Sequence, residues 1–319
     1  MRAPLISHII TDMKEFLSPV ADLEGLSHIE ASAYLKQFED VKTFERYKGR
    51  VDYVDTRPEG WREHRPILVV GGWAVSLKAM RDLGLVLYRE GRRALIVDLT
   101  KLGGIPRRHR RLNSQELLVD HKTHALARVV KESGAGKVDV LAHSMGALDA
   151  ALTAACYPEM FDKLVLAMPA GMIGEDSIHD LARRFLKETS GGLRHDFRDN
   201  PLTSLFLGHD GLRYVASHPE RAHKEAQAIA EITIDGLLSY LQDKGLKTGV
   251  LQAHRDRVFP DERIEQHVHL EDRPGHRHNV DAYASLSKRK AGHNELLTRP
   301  DRAVLAALRL FDNLEKAGE

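Results

Sequence analysis

The sequence lacks several features that would place it in a particular class of protein. It has one cysteine, Cys156, among 319 residues, so no internal disulfide can form, which fits a reducing compartment. No apolar run approaches the roughly 18 residues of a membrane span, and the N-terminal apolar residues are too interrupted for a signal peptide. The net charge of +1 supplies no field for binding nucleic acid. We therefore expect a cytoplasmic protein that has no membrane span and no nucleic-acid partner.

The composition, with 42% hydrophobic and 29% charged residues, is that of a globular chain long enough for one large core and an insertion. Its central motif is A-H-S-M-G at 142–146, which lies between the segment V-D-V-L at 138–141, rich in β-branched and aliphatic residues, and a stretch with helical spacing. This pattern predicts a strand, a sharp turn and a helix. A serine at such a turn has a strained backbone and needs small residues two positions away on each side. Ala142 and Gly146 meet that requirement around Ser144.

A predicted strand-helix-strand unit precedes the central motif, and its first strand ends in Gly71 and Gly72. As a dinucleotide-binding fingerprint, this loop would need glycines at 71, 73 and 76. Trp73 and Ser76 stand at the last two of these positions, and only Asp98, after the second strand, suits a ribose contact. The loop is therefore a poor match to a dinucleotide-binding fingerprint.

The residues before this unit predict an extension and a hairpin. Residues 1–42 are expected to form a helical N-terminal extension, in which Ser27 and Glu30 have the spacing of a capping box. Two alternating segments, 43–48 and 50–56, then predict an antiparallel pair of strands. The role of the extension cannot be inferred from these patterns.

Two further segments bear on the substrate. The run R-R-H-R-R at 107–111 is typical of a solvated loop, although its charge could also attract an acidic or phosphorylated substrate. About 75 residues separate the predicted strands at 163–168 and 248–252, and the apolar residues of this interval have helical spacing. The sequence therefore predicts an inserted helical cap at 172–245, which would exclude water and shape the substrate pocket.

The central motif resembles the nucleophile elbow, G-x-S-x-G, of the α/β-hydrolase superfamily. Ala142 replaces the first glycine, as in the A-H-S-M-G elbow of Bacillus-type lipases. The resemblance implies an α/β-hydrolase fold, with a mostly parallel sheet, helices on both faces and an inserted helical cap. It divides the chain into an N-terminal helical extension (1–42), a first core segment (43–171), the cap (172–245) and a second core segment (246–319).

In this superfamily the nucleophile is followed along the chain by an acid and then by a histidine. Asp256, in R-D-R-V-F-P after a predicted strand, resembles the acid, whereas Asp261 and Glu262 resemble first-turn residues of the next helix. His293 follows a glycine between the predicted last strand and the terminal helix, where the superfamily has its base. The resemblance thus assigns the catalytic roles to Ser144, Asp256 and His293.

The resemblance also assigns residues around the nucleophile. The loop with the glycine pair becomes the oxyanion loop, in which the backbone amides of Trp73 and Met145 would hold a developing oxyanion. Gly72, His143 and Pro169 would lie at the substrate pocket. His143, beside the nucleophile, is interpreted as a structural or pocket-lining residue.

A second cluster of side chains offers a rival interpretation as a metal site. Two H-x-H pairs, His267 with His269 and His276 with His278, flank a pair of carboxylates. A polar surface loop around R-P-G is the favoured interpretation. The sequence predicts no metal site and no cofactor.

The implied chemistry is acyl transfer to water. An unassisted serine hydroxyl is a poor nucleophile, and a histidine oriented by an aspartate activates it. The predicted function is hydrolysis of a carboxyl ester of a small-molecule acyl substrate through an acyl-enzyme, as in esterases and lipases. A serine at the elbow argues against dehalogenase and epoxide hydrolase chemistry, which uses a carboxylate. A meta-cleavage carbon–carbon hydrolase, a thioesterase, an acyltransferase and a ligand-binding protein on the same fold are the alternatives.

Overall fold

The structure is a computed structural model that describes residues 27–46, 48–103, 105, 112–174, 176–268, 279–286 and 291–316. Several sequence predictions lie outside these residues. They are the helix before residue 27, the arginine run at 107–111, and three of the four paired histidines, namely His269, His276 and His278.

The described chain forms one eight-stranded sheet with the order β1-β2-β4-β3-β5-β6-β7-β8. Strand β2 pairs antiparallel with β1, as the predicted hairpin requires, and it also pairs antiparallel with β4. All other neighbours pair parallel. This confirms the predicted mostly parallel sheet. The strands are β1 (Lys42–Arg46), β2 (Gly49–Thr56), β3 (Ile67–Val70), β4 (Ala94–Asp98), β5 (Val138–His143), β6 (Phe161–Ala167), β7 (Lys247–Ala253) and β8 (Ala282–Leu286).

Helices cover both faces of the sheet, because alternate residues of each central strand point to opposite sides. In β3, Leu68 and Val70 belong to the core under helices α4 and α5, whereas Ile67 and Val69 belong to the core under α2 and α12. The helices are α1 (His28–Glu39), α2 (Arg81–Arg89), α3 (Ser114–Leu118), α4 (His124–Ser133), α5 (Met145–Cys156), α6 (Ile178–Asp199), α7 (Pro201–Ser217), α8 (Pro219–Glu231), α9 (Asp235–Asp243), α10 (Asp261–Val268), α11 (Glu295–Thr298) and α12 (Pro300–Lys316).

Local sequence signals explain several helix ends. Ser27 and Glu30 form the predicted capping box at the start of α1, which satisfies two backbone amides that the first helical turn leaves free. Gly134 ends α4 in the left-handed conformation, with φ of 63°, that a side chain disfavours. Helix α10 begins at Asp261, so its first turn carries Asp261 and Glu262 as predicted.

Helices α6 to α9 lie between β6 and β7 in the chain. The first three pack on one another, whereas α9 packs on α5 and β7 and so belongs to the helical layer of the sheet. Among the described helices, none combines the length and the apolar character needed to cross a membrane.

The hairpin of β1 and β2 packs closely on the loop after β4, and Gly49 makes this contact possible. A Cβ there would lie 2.1 Å from the amide nitrogen of Gly103 and 2.4 Å from the carbonyl oxygen of Lys101. Both atoms belong to the backbone and cannot rotate away. We expect Gly49→Ala to lower the free energy of unfolding by about 1–3 kcal/mol, measured by urea denaturation.

A matched control is Gly208→Ala in the middle of α7, where an added Cβ would have no neighbour within 4 Å. Alanine has the higher helix propensity, so this variant should be more stable than wild type by about 0.5–1 kcal/mol. A Gly49→Ala protein as stable as wild type would contradict the close packing of the hairpin.

Candidate active site

The central motif folds as the predicted strand, turn and helix. Ser144 lies between β5 and α5 with φ of 55° and ψ of −123°, a conformation that costs free energy and that neighbours must enforce. The Ser144 amide donates to the Ala167 carbonyl at 3.0 Å, and its carbonyl accepts from the Ala170 amide at 3.1 Å. A Cβ at Gly146 would lie 2.5 Å from the Val70 carbonyl oxygen, so only glycine allows α5 to start this close to β3.

Three side chains from distant parts of the chain meet at this turn. The Nε2 atom of His293 lies 2.9 Å from Ser144 Oγ, and its Nδ1 atom lies 2.8 Å from Asp256 Oδ2. All three residues are buried. Because an ionised carboxylate can only accept, the proton belongs on Nδ1, which leaves Nε2 free to accept from the serine hydroxyl.

The loop after β7 fixes the carboxylate of Asp256. Its Oδ1 accepts hydrogen bonds from the amides of Val258 and Phe259, at 2.8 and 2.9 Å, and its Oδ2 faces the imidazole. Asp261, the nearest other carboxylate in this segment, instead contacts His254 Nδ1 at 2.9 Å and accepts from the hydroxyl of Tyr283 at 2.8 Å. Asp256 is therefore the carboxylate of this segment that contacts His293.

The loop after β3 lies next to Ser144. A Cβ at Gly72 would lie 3.0 Å from Ser144 Cβ. Asp98, the candidate ribose ligand of the dinucleotide interpretation, accepts hydrogen bonds from the amides of Leu77, at 3.3 Å, and Thr100, at 2.8 Å. Its carboxylate thus connects the loops after β3 and β4 at the C-terminal ends of the strands, where Ser144 also lies.

Two other predicted pocket residues lie beside Ser144 in different settings. The Nε2 atom of His143 lies 2.8 Å from the carbonyl oxygen of His293, so this ring joins the two segments that carry the serine and the histidine. Burial, and to a lesser degree the nearby His293, lower the pKa of His143 to about 3, so the ring is neutral near pH 7. Pro169 is buried next to Ala170, whose amide binds Ser144.

A cluster of buried charges adjoins the glycine loop, which is the loop after β3 that contains Gly71 and Gly72. Lys122 Nζ lies 3.1 Å from Asp149 Oδ2, 3.2 Å from Glu225 Oε1 and 3.4 Å from Met145 Sδ. Burial lowers and the two carboxylates raise the pKa of Lys122, and the net direction is upward. Burial raises the pKa of Asp149 to about 6, partly offset by Lys122. The ammonium thus stays charged next to the start of α5.

The same cluster links the loop after β3 to helix α8. Trp73 Nε1 donates to Glu225 Oε2 at 3.1 Å, and the Tyr214 hydroxyl donates to the same oxygen. Arg221 donates to the Tyr214 oxygen at 2.6 Å and to the carbonyl of Thr100 at 2.8 Å. A small cavity next to these groups is lined by Gly71, Gly72, Ala74, Val75, Val97, Leu99, Thr100, Lys122, Asp149, Tyr214 and Glu225.

Sequence reasoning missed this cluster and also missed Glu188 of α6, whose carboxylate contacts the backbone of His293. Lys122 lies in a π-helical turn, Val119–Thr123, that joins α3 to α4. Such turns shift the register of a helix and often occur at functional sites. No residue pattern marks a π turn, so the burial of Lys122 had no sequence signal.

Within the described ranges, no group of three or more histidine, cysteine, aspartate or glutamate residues could hold a metal ion. His267, the described member of the paired histidines, has its Nδ1 atom 2.6 Å from Asp235 Oδ2. This contact anchors the end of α10 to the start of α9.

Comparison with known proteins connects this geometry to a family and a fold. The sequence profile of the serine aminopeptidase S33 family matches residues 62–230. No curated protein sequence matches the chain. Three similar solved structures have 14–18% sequence identity, which shows a shared fold. A thermophilic esterase from Thermogutta terrifontis has 18% identity and a TM-score of 0.57, and the match covers 86% of this chain and 97% of that chain. A bromoperoxidase from Bacillus anthracis has 14% identity and a TM-score of 0.59, with 85% of this chain and 100% of that chain covered. A meta-cleavage product hydrolase from Pseudomonas fluorescens has 18% identity and a TM-score of 0.52, with 85% of this chain and 98% of that chain covered.

The neutral, buried ring of His143 generates a prediction about stability and pH. Its folded pKa of about 3 lies below the ordinary value of 6.5, so the unfolded chain binds the extra proton between these values. Stability is therefore lost as the pH falls from 6.5, by up to about 1.4 kcal/mol per pH unit from this group. We expect His143→Gln, which keeps a donor for the His293 carbonyl, to lose stability less steeply than wild type in urea denaturation below pH 6.5.

The comparison between variant and wild type isolates this histidine. Asp139 and Asp149, whose pKa values burial raises to about 6, act in the opposite direction, but they are present in both proteins and cancel in the difference. Parallel pH profiles for the two proteins would show that His143 is not held neutral in the fold.

Proposed function

Because the chain belongs to the serine aminopeptidase S33 family of α/β-hydrolases, we propose that it is a serine hydrolase that cleaves carboxyl esters through an acyl-enzyme. The observation that carries the proposal is the hydrogen-bonded series Ser144, His293 and Asp256, at 2.9 and 2.8 Å, under the glycine loop. Nucleophile, base and orienting acid are the three groups that this chemistry needs in contact.

The proposed reaction proceeds in two halves. Ser144 Oγ attacks the ester carbonyl carbon while its proton passes to His293 Nε2, and the carbonyl oxygen becomes an oxyanion held by the amides of Trp73 and Met145. Collapse of this intermediate breaks the bond to the alcohol, which leaves with the proton from His293. Water then gives a proton to His293 and adds to the acyl carbon, and Ser144 departs with that proton as the carboxylic acid is released.

Asp256 has two roles in this scheme. The two amides on its Oδ1 keep the other oxygen directed at the imidazole, which holds the ring in the tautomer that can accept from serine. Its negative charge then stabilises the imidazolium that forms when the proton moves. Asp256→Asn, which removes the negative charge and keeps the shape of the side chain, should therefore slow the reaction without unfolding the protein.

We further propose that α6, α7 and α8 form the cap over this site. Phe185 of α6 lies with its ring 6.3 Å from that of Trp73 and 5.8 Å from that of His293, and Tyr214 of α7 lies 5.9 Å from Trp73. These aromatic contacts would exclude water from the acyl-enzyme and limit the size of the acyl group.

The first prediction from this proposal concerns the three side chains that it makes catalytic. We expect Ser144→Ala and His293→Ala each to lower kcat by a factor on the order of 10⁶, and Asp256→Asn by about 10⁴. Turnover would be measured with p-nitrophenyl esters of increasing acyl length, with matching thioesters and with an aminoacyl p-nitroanilide. Labelling by a fluorophosphonate probe, which reports an activated serine, should be lost in the serine and histidine variants.

Ser239→Ala provides the control, since its hydroxyl lies on the exposed side of α9 and bonds to the Asp235 carbonyl. It should label and turn over like wild type. Preferential turnover of the thioester or the anilide would replace the ester proposal by that activity. A wild-type protein that neither labels nor turns over any of these compounds would contradict the serine-hydrolase proposal.

A second prediction concerns the oxyanion loop. A methyl group at Gly72 would lie 3.0 Å from Ser144 Cβ and 3.1 Å from His143 Nδ1, so Gly72→Ala should push the loop, and with it the Trp73 amide, away from the nucleophile. Because one oxyanion donor contributes about 10²–10³ in kcat, we expect a loss of that size with little change in melting temperature. Gly236→Ala, where an added Cβ has no neighbour within 4 Å, is the control. An unchanged kcat in Gly72→Ala would contradict this prediction.

A further inference from the structure

Helix α6 contacts the segment that carries the predicted acid. Arg184 Nε donates to the carbonyl of Val258 at 2.9 Å, and Arg257 Nη1 donates to the carbonyl of Lys187 at 3.3 Å. Arg257 and Val258 follow Asp256 directly in the chain. The first helix of the insertion is therefore bound to the loop that holds the carboxylate.

The same helix also contacts the segment that carries His293. Glu188 Oε1 accepts a hydrogen bond from the His293 amide at 3.0 Å, and this glutamate is only 8% exposed. A Cβ at Gly292 would lie 2.6 Å from the same carboxylate oxygen. Gly292, which precedes His293, thus leaves room for the Glu188 carboxylate. This contact with α6 explains why the position holds a glycine.

Phe185 lies one turn before Glu188 and touches the histidine ring itself. Its ring meets the imidazole edge to face at 81°, with 5.8 Å between centroids, and Phe259 meets the imidazole in the same manner at 5.1 Å. The backbone and the ring of His293 are thus both restrained by side chains of α6. A hydrogen bond has a preferred donor–acceptor distance and angle, so the Glu188 contact is the more directional of the two.

Burial of Glu188 has a cost that its contact must offset. Burial raises the pKa of its carboxyl group, the His293 amide lowers it, and the net direction is upward. A solvated glutamate would avoid this cost, and α6 has solvent-facing positions next to it, such as Leu186, which is 71% exposed. The bond to the His293 backbone offsets part of the cost of burying this carboxylate.

We propose that Glu188 is a positioning residue for His293, so that the insertion completes the catalytic machinery as well as covering it. The inference rests on the proposed function, in which His293 is the base. Glu188 acts through the backbone of the histidine and does not touch the substrate. When its carboxylate holds the His293 amide, Nε2 stays within reach of Ser144 Oγ and Nδ1 stays on Asp256.

The test compares Glu188→Ala, which removes the acceptor, with Glu188→Gln, which keeps an acceptor oxygen at the same reach. We expect Glu188→Ala to lower kcat and the rate of fluorophosphonate labelling by about 100-fold, the scale of a misplacement near 1 Å, with KM changed less than about threefold. Glu188→Gln should recover kcat to within about fivefold of wild type, because an amide oxygen still accepts from the His293 amide.

A readout that needs no substrate separates this inference from the proposed function. The proton shared by His293 Nδ1 and Asp256 should give a low-field proton NMR resonance, assigned by its loss in His293→Gln. It should persist in wild type, Ser144→Ala and Glu188→Gln, and it should weaken or broaden in Glu188→Ala. If wild type lacks every tested activity but the resonance depends on Glu188 in this way, the positioning role stands and the ester hydrolase proposal fails.

Leu186→Ala controls for damage to α6, because its exposed side chain lies on the same helix. It should match wild type in kcat, resonance and melting temperature. A Glu188→Ala protein whose kcat stays within threefold of wild type, whose defect is confined to KM, or whose resonance is unchanged would overturn the proposal. So would a Glu188→Gln protein as slow as Glu188→Ala, since the acceptor would then not be what matters.

Discussion

The parallel pairing of β3 with β5 is the constraint on which the rest of the site depends. In its register Val70 lies opposite Ala142, so the two strands end side by side. The glycine loop then leaves β3 where Ser144 leaves β5. This is also the point where the strand order reverses, with β4 on one side of the pair and β6 on the other. Open α/β sheets form a crevice at such a point, and ligands bind there.

Contacts around this crevice are polar and buried, which makes them sensitive to geometry. Lys122 and Glu225 form one such contact next to Gly71 and Gly72, and Glu188 and the backbone of His293 form another. A buried charge that loses its partner costs far more than a solvated one, so each pair resists displacement of the elements that carry it. The insertion is thus joined to the sheet edge by hydrogen bonds as well as by apolar packing.

The sequence predicted the local features of the fold well. The strands, the capping box at Ser27, the sharp turn at Ser144 and the hairpin of β1 and β2 each follow from patterns within a few residues. The resemblance to α/β-hydrolases named Asp256 and His293, and both contact one another beside the serine. It left open which chemical bond is cleaved, since a shared fold supports several reactions.

The sequence by itself determined where strands and helices form and which serine stands at a strained turn, because these depend on periodicity and on small residues at fixed spacing. Only the tertiary structure decided that Lys122 is buried beside Asp149, that His143 is held neutral, and that Glu188 binds the His293 backbone. The two residues of each contact lie between 27 and 150 positions apart in the chain. No local pattern encodes their burial. The physical reason is that hydrogen bonding and desolvation depend on which elements pack together, and a chain of 319 residues sets that packing as a whole.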